Sequence, residues 1–135
     1  MRALIDTNIF LDVALARPGA ARSGELLDRL EDIPGSAFLA WHTLSNLYYV
    51  LAKASSPAAA RSFLSDILAW ADVAPVGQPE AKLALKLPQK DFEDCLQIAS
   101  AEAAGATCII TRNKPDFRGS SIPALTPEEW LKQNS

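Results

Sequence analysis

The sequence predicts an α/β domain in three layers, helix on sheet on helix, around a mainly parallel sheet. Short apolar runs alternate with helix-length amphipathic segments along the chain, the pattern of strands joined by helical crossovers. Polar residues stand at the ends of two such runs, Asp6-Thr7-Asn8 after the first and Thr111-Arg112-Asn113 after a later one. Size completes the argument. A chain of 135 residues, 49% apolar, can bury one core but not two of ordinary size, so residues 1–135 are expected to form a single domain.

Ala3-Leu4-Ile5 reads as a short buried strand that ends at Asp6 and turns into a helix through Ile9 to Ala16. Arg17-Pro18-Gly19 breaks that helix, and a second is expected through Glu25-Leu26-Leu27 to about Ile33, closed by Pro34-Gly35. Ala37 to Ala40 is a second strand. Leu44, Leu47, Tyr48 and Leu51 recur at helical spacing, and Pro57 opens a helix carrying Phe63, Leu64, Ile67, Leu68 and Ala71. Asp72 to Val76 is a weak strand before Pro79 opens a helix through Leu87. Lys90-Asp91 starts a helix to Gly105, Thr107 to Ile110 is the clearest strand, and Pro127 opens the last helix.

Charge and cysteine content exclude several function classes. A net charge of −3 and a pI near 5.1 do not suit a chain that grips nucleic acid by bulk electrostatics, so any such contact must be local. Cys95 and Cys108 form no CxxC pattern and sit in apolar runs, where free cysteine packs as a small hydrophobe. They offer no disulfide framework, which suggests a reducing compartment. The N-terminal MRALIDTN lacks the apolar stretch of a secretory signal, and the longest uncharged segment, Ser36 to Ala52, follows helical periodicity and contains His42, Thr43, Ser45 and Asn46. A cytoplasmic protein with no membrane association is expected.

Parallel α/β sheets bind ligands beyond the carboxyl ends of their strands, which points to the edge carrying Asp6 and Thr111-Arg112-Asn113. Three acids fall where that edge can collect them: Asp6 at a strand tip, Asp94 on the first turn of a later helix, and Asp116 in the loop after the strand Thr107 to Ile110. Each alone has an ordinary explanation, as a helix cap, a first-turn acid favoured by the helix dipole, or a loop residue. Together they imply chemistry. Two carboxylates about 4 Å apart repel by about 4 kcal/mol at an effective dielectric of 20, so a cluster requires a cation or a raised pKa. Oxygen ligands without nearby His or Cys favour Mg²⁺ or Mn²⁺ over zinc. At about 100° per residue, Phe92, Cys95, Leu96, Ala99 and Ala103 share an apolar arc, and Glu93 diverges from Asp94 so that at most one of the pair should face the cleft.

Leu4-Ile5-Asp6-Thr7-Asn8, Asp91-Phe92-Glu93-Asp94 and Ile109-Ile110-Thr111-Arg112-Asn113-Lys114-Pro115-Asp116-Phe117, in this order and spacing, resemble the PIN-domain family. Ile122-Pro123 and Thr126-Pro127-Glu128-Glu129 continue the likeness. The family includes the VapC-type toxins of toxin–antitoxin systems. The resemblance implies a flavodoxin-like three-layer fold and an endoribonuclease that uses Mg²⁺ or Mn²⁺ to cleave RNA, with Asp6, Asp94 and Asp116 as metal-binding catalytic acids. It also implies a homodimer and a separate antitoxin partner. Family members usually carry a further acid on the helix after the second strand; Asn46 matches that position and supplies only a neutral carbonyl.

Around these acids, Thr111 and Asn113 are candidates to hydrogen-bond carboxylate or phosphate, and Glu93 to act through water. Arg112, Lys114 and Arg118 bracket Asp116 and are candidates to hold the RNA backbone. By helical projection His42, Asn46, Tyr49 and Lys53 form a polar stripe, on which Tyr49 would stack on a base and Lys53 meet phosphate. His42 reads as a helix-start polar residue. Two rival functions remain to be weighed. A receiver-like phosphoacceptor would need paired acids at the first strand and another at the third strand's tip, where none stands. A degenerate PIN-like module that binds RNA or protein without cleaving is the stronger alternative, because Asn46 weakens the metal site.

Overall fold

The computed structural model describes residues 1–135. Five strands, β1 (Ala3–Ile5), β2 (Ala37–Leu39), β3 (Asp72–Val73), β4 (Cys108–Ile110) and β5 (Ala124–Leu125), form one sheet in the order β3-β2-β1-β4-β5. Every neighbouring pair is parallel. The helices are α1 (Thr7–Ala14), α2 (Ala20–Glu31), α3 (Trp41–Ala54), α4 (Pro57–Leu68), α5 (Gln78–Lys86), α6 (Phe92–Ala103) and α7 (Pro127–Gln133). No helix is long and apolar enough to cross a membrane.

Alternation along the strands makes the three layers. Ala3, Ile5, Cys108 and Ile110 pack into the larger core with residues of α1, α2, α3, α4 and α7. Leu4 and Ile109, between them in sequence, point the other way onto Ile98 and Ala101 of α6. A further small cluster, Ala84 with Cys95 and Ala99, joins α5 to α6. Both cysteines are free and buried, as expected of small core residues.

Local chemistry sets most boundaries. Ser56 caps α4 by accepting from the Ala59 N–H at 3.0 Å, with Pro57 at the first helical position. Thr126 and Glu129 form a reciprocal capping box at α7. Several elements differ from the sequence expectation. Helix α1 starts at Thr7 instead of Ile9, because the backbone of Asp6 is already the extended N-cap. Helix α2 starts at Ala20, directly after Gly19 at φ 94°; Ala20, Ala21 and Arg22 are good helix formers, but Ser23 and Gly24 follow and no apolar periodicity reveals the first turns. Strand β3 covers two residues of the expected five. Strand β5 and a single 3₁₀ turn at Lys114–Phe117 were not expected, being too short for a periodic signal. Phe92 is 47% exposed instead of joining the apolar arc, because α6 turns the side carrying Cys95 and Ala99 toward α5 and Ile98 toward the sheet.

Leu4 is fully buried at the centre of the sheet, and Leu85 on α5 is 74% exposed. Leu4→Ala is expected to cost about 2–5 kcal/mol in urea unfolding, the transfer loss plus an unfilled cavity, whereas Leu85→Ala should change stability by less than about 0.5 kcal/mol.

Candidate active site

Strand order places the crevice. From β1 the chain moves outward through β2 to β3, then returns to the other side of β1 as β4, so the carboxyl ends of β1 and β4 flank a switch point. The register pairs Ile5 with Ile110, and the Asp6 N–H donates to the Ile110 carbonyl at 2.9 Å. Asp6 and Thr111 therefore leave the sheet side by side. The Thr111 hydroxyl donates to Asp6 Oδ2 at 2.8 Å and accepts from the Asn113 N–H at 3.0 Å. Although Asp6 occupies the N-cap position of α1, its side chain makes no cap bond. The carboxylate is turned into the crevice.

A cleft of about 460 Å³ opens there and brings together Asp6, Asp94, Asp116, Glu93, Asn46 and Asn113. Asp91 caps α6 by accepting from the Glu93 N–H at 2.9 Å, which leaves Asp94 free of that duty. The expectation that only one of Glu93 and Asp94 faces the cleft is corrected. Both line it, because the first turn of α6 juts into the cleft: Glu93 reaches the Asn46 side chain on α3, and Asp94 lies toward Asp116. The Asn46 amide hydrogen-bonds the Glu93 carboxylate and eases its ionisation.

Burial, with the neighbouring acids adding to it, destabilises the charged forms. The Asp6 carboxyl is pushed up to about 6 by burial, against the Thr111 hydrogen bond and with Glu93 and Asp116 adding repulsion. Asp94 is pushed up to about 7, by burial and then by the charges of Asp116, Asp91, Asp6 and Glu93. Glu93 is raised by burial and Asp91. No three His, Cys, Asp or Glu side chains close into a ready cluster around an ion. The donor set nonetheless suits a hard cation that keeps some of its own waters, since the donors are all oxygens and the carboxylates resist ionising without a counter-charge.

The expected basic residues divide. Arg112, expected to hold the RNA backbone, has its guanidinium bidentate on Asp12, at 2.7 and 2.8 Å, and Asp12 is fully buried on α1. Lys114 pairs with Glu129 at 3.0 Å. Arg118 is unpaired and stands beside Asp94 and Asp116 in an adjoining basin. The polar stripe on α3 also breaks up. Asn46 and Tyr49 line the cleft, Lys53 lies beyond it, and His42 turns into a separate pocket with Trp41 and Leu96, where burial lowers its pKa.

Sequence reading did not reach several supports. Beneath the cleft the Thr7 and Thr43 hydroxyls meet at 2.9 Å, and Gln97 Nε2 donates to them at 3.2 and 3.3 Å, tying α1, α3 and α6 together in a buried polar knot. A polar residue at a buried helical position was the available signal for Gln97. Asn8, Lys90 and Gln89 also line the two basins.

The profile of the PIN domain matches residues 2–115. Among solved structures, the fold is similar to a chain of VapBC2 from Rickettsia felis bound to promoter DNA, with a TM-score of 0.70 and 19% identity, covering 93% of this chain and 98% of that one. It is similar to a chain of a toxin–antitoxin complex from Klebsiella pneumoniae, with a TM-score of 0.69 and 25% identity over 93% and 97% of the two chains. A chain of DNA-bound VapBC from Salmonella typhimurium aligns with a TM-score of 0.71 and 16% identity over 94% and 98%. No curated protein matches the sequence.

Because Asp6 and Asp94 hold protons more tightly folded than unfolded, their contribution to stability is full below the usual carboxylate range and is lost as pH rises through about 6 and 7. In chelator, the melting temperature of Asp6→Asn relative to the parent should therefore rise between about pH 5 and about pH 8; a constant difference would refute the burial argument. Arg112→Ala strands a buried carboxylate and is expected to cost about 3 kcal/mol in urea unfolding, with Arg112→Lys recovering only part because it loses the two-pronged contact.

Proposed function

The chain belongs to the PIN-domain family, whose members are nucleases, and on that premise we propose that it is a Mg²⁺- or Mn²⁺-dependent endoribonuclease, the toxin of a toxin–antitoxin pair. The observation that carries the reading is the gathering of Asp6, Asp94 and Asp116 in one cleft at the ends of β1 and β4, at a visible electrostatic cost. Acids brought together against repulsion serve a cationic partner or proton chemistry. The toxin assignment is supported by the likeness to chains of toxin–antitoxin complexes. From the family we carry over an antitoxin partner, a homodimer and a cytoplasmic setting.

Asp6 and Asp94 would hold the cation, and Asp116 would hold it or orient water. When bound, the cation supplies Lewis acidity, lowering the pKa of water and offsetting charge on the phosphate in an in-line displacement. The chain's own residues prepare for this. Thr111 fixes the rotamer of Asp6 through its 2.8 Å hydrogen bond, and Asn113 in turn orients Thr111 through its backbone N–H. The Thr7–Thr43–Gln97 knot holds together α6, α3 and α1, the helices that carry Asp94, Asn46 and the residues after Asp6.

A second reading, an RNA- or protein-binding module without cleavage, draws on Asn46 in place of an acid and on the open spacing of the carboxylates. One experiment separates the two. Purified protein is expected to cleave RNA with Mg²⁺ or Mn²⁺ and not in chelator, and Asp6→Asn, Asp94→Asn and Asp116→Asn should each reduce the rate by at least about 100-fold while melting as folded proteins. Retained activity in Asp94→Asn would remove the metal-site assignment; an inactive parent would favour the binding module.

A further inference from the structure

A second pocket lies apart from the acids, where the first turn of α3 meets α5 and α6. It holds about 190 Å³, and none of the residues lining it lines the acid cleft. The walls are mainly apolar, with Trp41, Val76, Leu96 and Ala99 among them. Trp41 is 66% exposed, so its indole reaches from the pocket out to solvent.

Two polar groups interrupt this lining. His42 Nε2 is buried without a hydrogen-bond partner, on a ring that burial holds toward its neutral form, in which each nitrogen is either a donor or an acceptor. Ser100 is 3% exposed, and its hydroxyl makes no hydrogen bond within the chain although the residue lines the pocket. Buried polar groups left unpaired cost stability, and nearly all find a partner. Glu80, also in the lining, is already engaged: its Oε1 accepts from the Gly77 N–H at 2.7 Å. An apolar hollow with a few unspent polar atoms is the form of a small-molecule site.

Volume and chemistry narrow the occupant. Drug-sized ligands fill about 300–1,000 Å³, whereas a cavity of about 150 Å³ takes a single benzene ring. One ring or two fused rings therefore fit. Water fits poorly: at about 30 Å³ each the space takes about six molecules, and each needs two to four polar partners that these walls do not supply. The Glu80 carboxylate disfavours an anion. We infer that this pocket binds a neutral planar heteroaromatic molecule of one or two rings, its apolar body against Trp41 and Leu96 and its ring nitrogen hydrogen-bonded to Ser100 or His42. The inference is independent of what the acid cleft does.

Titration of the full chain with indole, followed in ¹H–¹⁵N correlation spectra, tests it. Saturable shifts are expected at the amides of His42, Gly77 and Ser100 and at the Trp41 side-chain N–H, with a Kd of about 1 mM or tighter, while Asp6 and Asp116 stay unmoved. Indene, the same shape without the N–H, should bind about tenfold more weakly. His42→Leu with Ser100→Ala removes both polar partners and should bind indole no more tightly than indene. Ala81 lines the pocket from an exposed position on α5, so Ala81→Phe can fill the space without entering the core and should weaken indole at least about tenfold. Melting curves check that the variants fold. Shifts that do not saturate or that fall elsewhere, indene bound as tightly as indole, or indole binding untouched by Ala81→Phe overturns the site. So do shifts at the same residues on raising the protein concentration without ligand, which would give this face to a second copy of the chain.

Discussion

The parallel pairing of β1 with β4 sets Ala3 against Cys108, Leu4 against Ile109 and Ile5 against Ile110, and the site is built from that register. It delivers Asp6 and Thr111 to the same level of the crevice, where the hydroxyl can reach the carboxylate. A slip of one residue would exchange the faces of every strand side chain, exposing Ile5 and Ile110 to the wrong helix layer and separating Asp6 from Thr111. The apolar core thus enforces the polar geometry. Leu4 and Ile109 under α6 and Ile5 and Ile110 under α1 and α3 specify the register far more strongly than the single Thr111–Asp6 hydrogen bond does.

The helices then add acids to that fixed point. Asp94 and Glu93 arrive on the first turn of α6 and Asp116 on the 3₁₀ turn after β4, and the charges of Glu93 and Asp116 raise the cost of ionising Asp6 and Asp94. The buried Thr7–Thr43–Gln97 contact opposes the repulsion mechanically, because it pins the first turns of α1 and α3 to the middle of α6 beneath the cleft. Asn46 reduces the repulsion. A carboxylate there would face Glu93, whereas the amide donates to it.

The layers, the parallel sheet and the edge carrying Asp6, Asp94 and Asp116 were legible because they rest on strong signals: apolar strands, Pro-started helices, and polar residues at strand ends. Strand β5 was not legible, since Ala124 and Leu125 pair with β4 over too short a span to show alternation. Glu93 was misread for a geometric reason. Helical projection fixes its angle from Asp94, but not that the cleft wraps around the helix end so that both directions lead into it. The Arg112–Asp12 pair was not legible, because Asp12 lies far away in sequence on α1 and ion pairs between distant segments leave no local pattern. The PIN-domain resemblance fixed the order of the acids, but it could not say which basic side chains the fold itself consumes.

On the nuclease reading, that division of cations bears on how a chain of net charge −3 would meet a polyanion. Arg22, Arg112 and Lys114 neutralise the chain's own acids. Arg2, Arg29 and Arg61 lie over the rings of Phe38, Trp130 and Tyr48, where their stems pack as much as their charges act. Lys90 and Arg118 have no such engagement and stand beside the acid row. Two local cations give little long-range attraction, because the field of the whole molecule is negative and is screened within about 8 Å at physiological salt. On that reading selectivity would come from contacts within the cleft and not from the field of the whole molecule. The overall acidity works in the same direction, since it disfavours the sequence-independent binding to duplexes that a basic surface would invite.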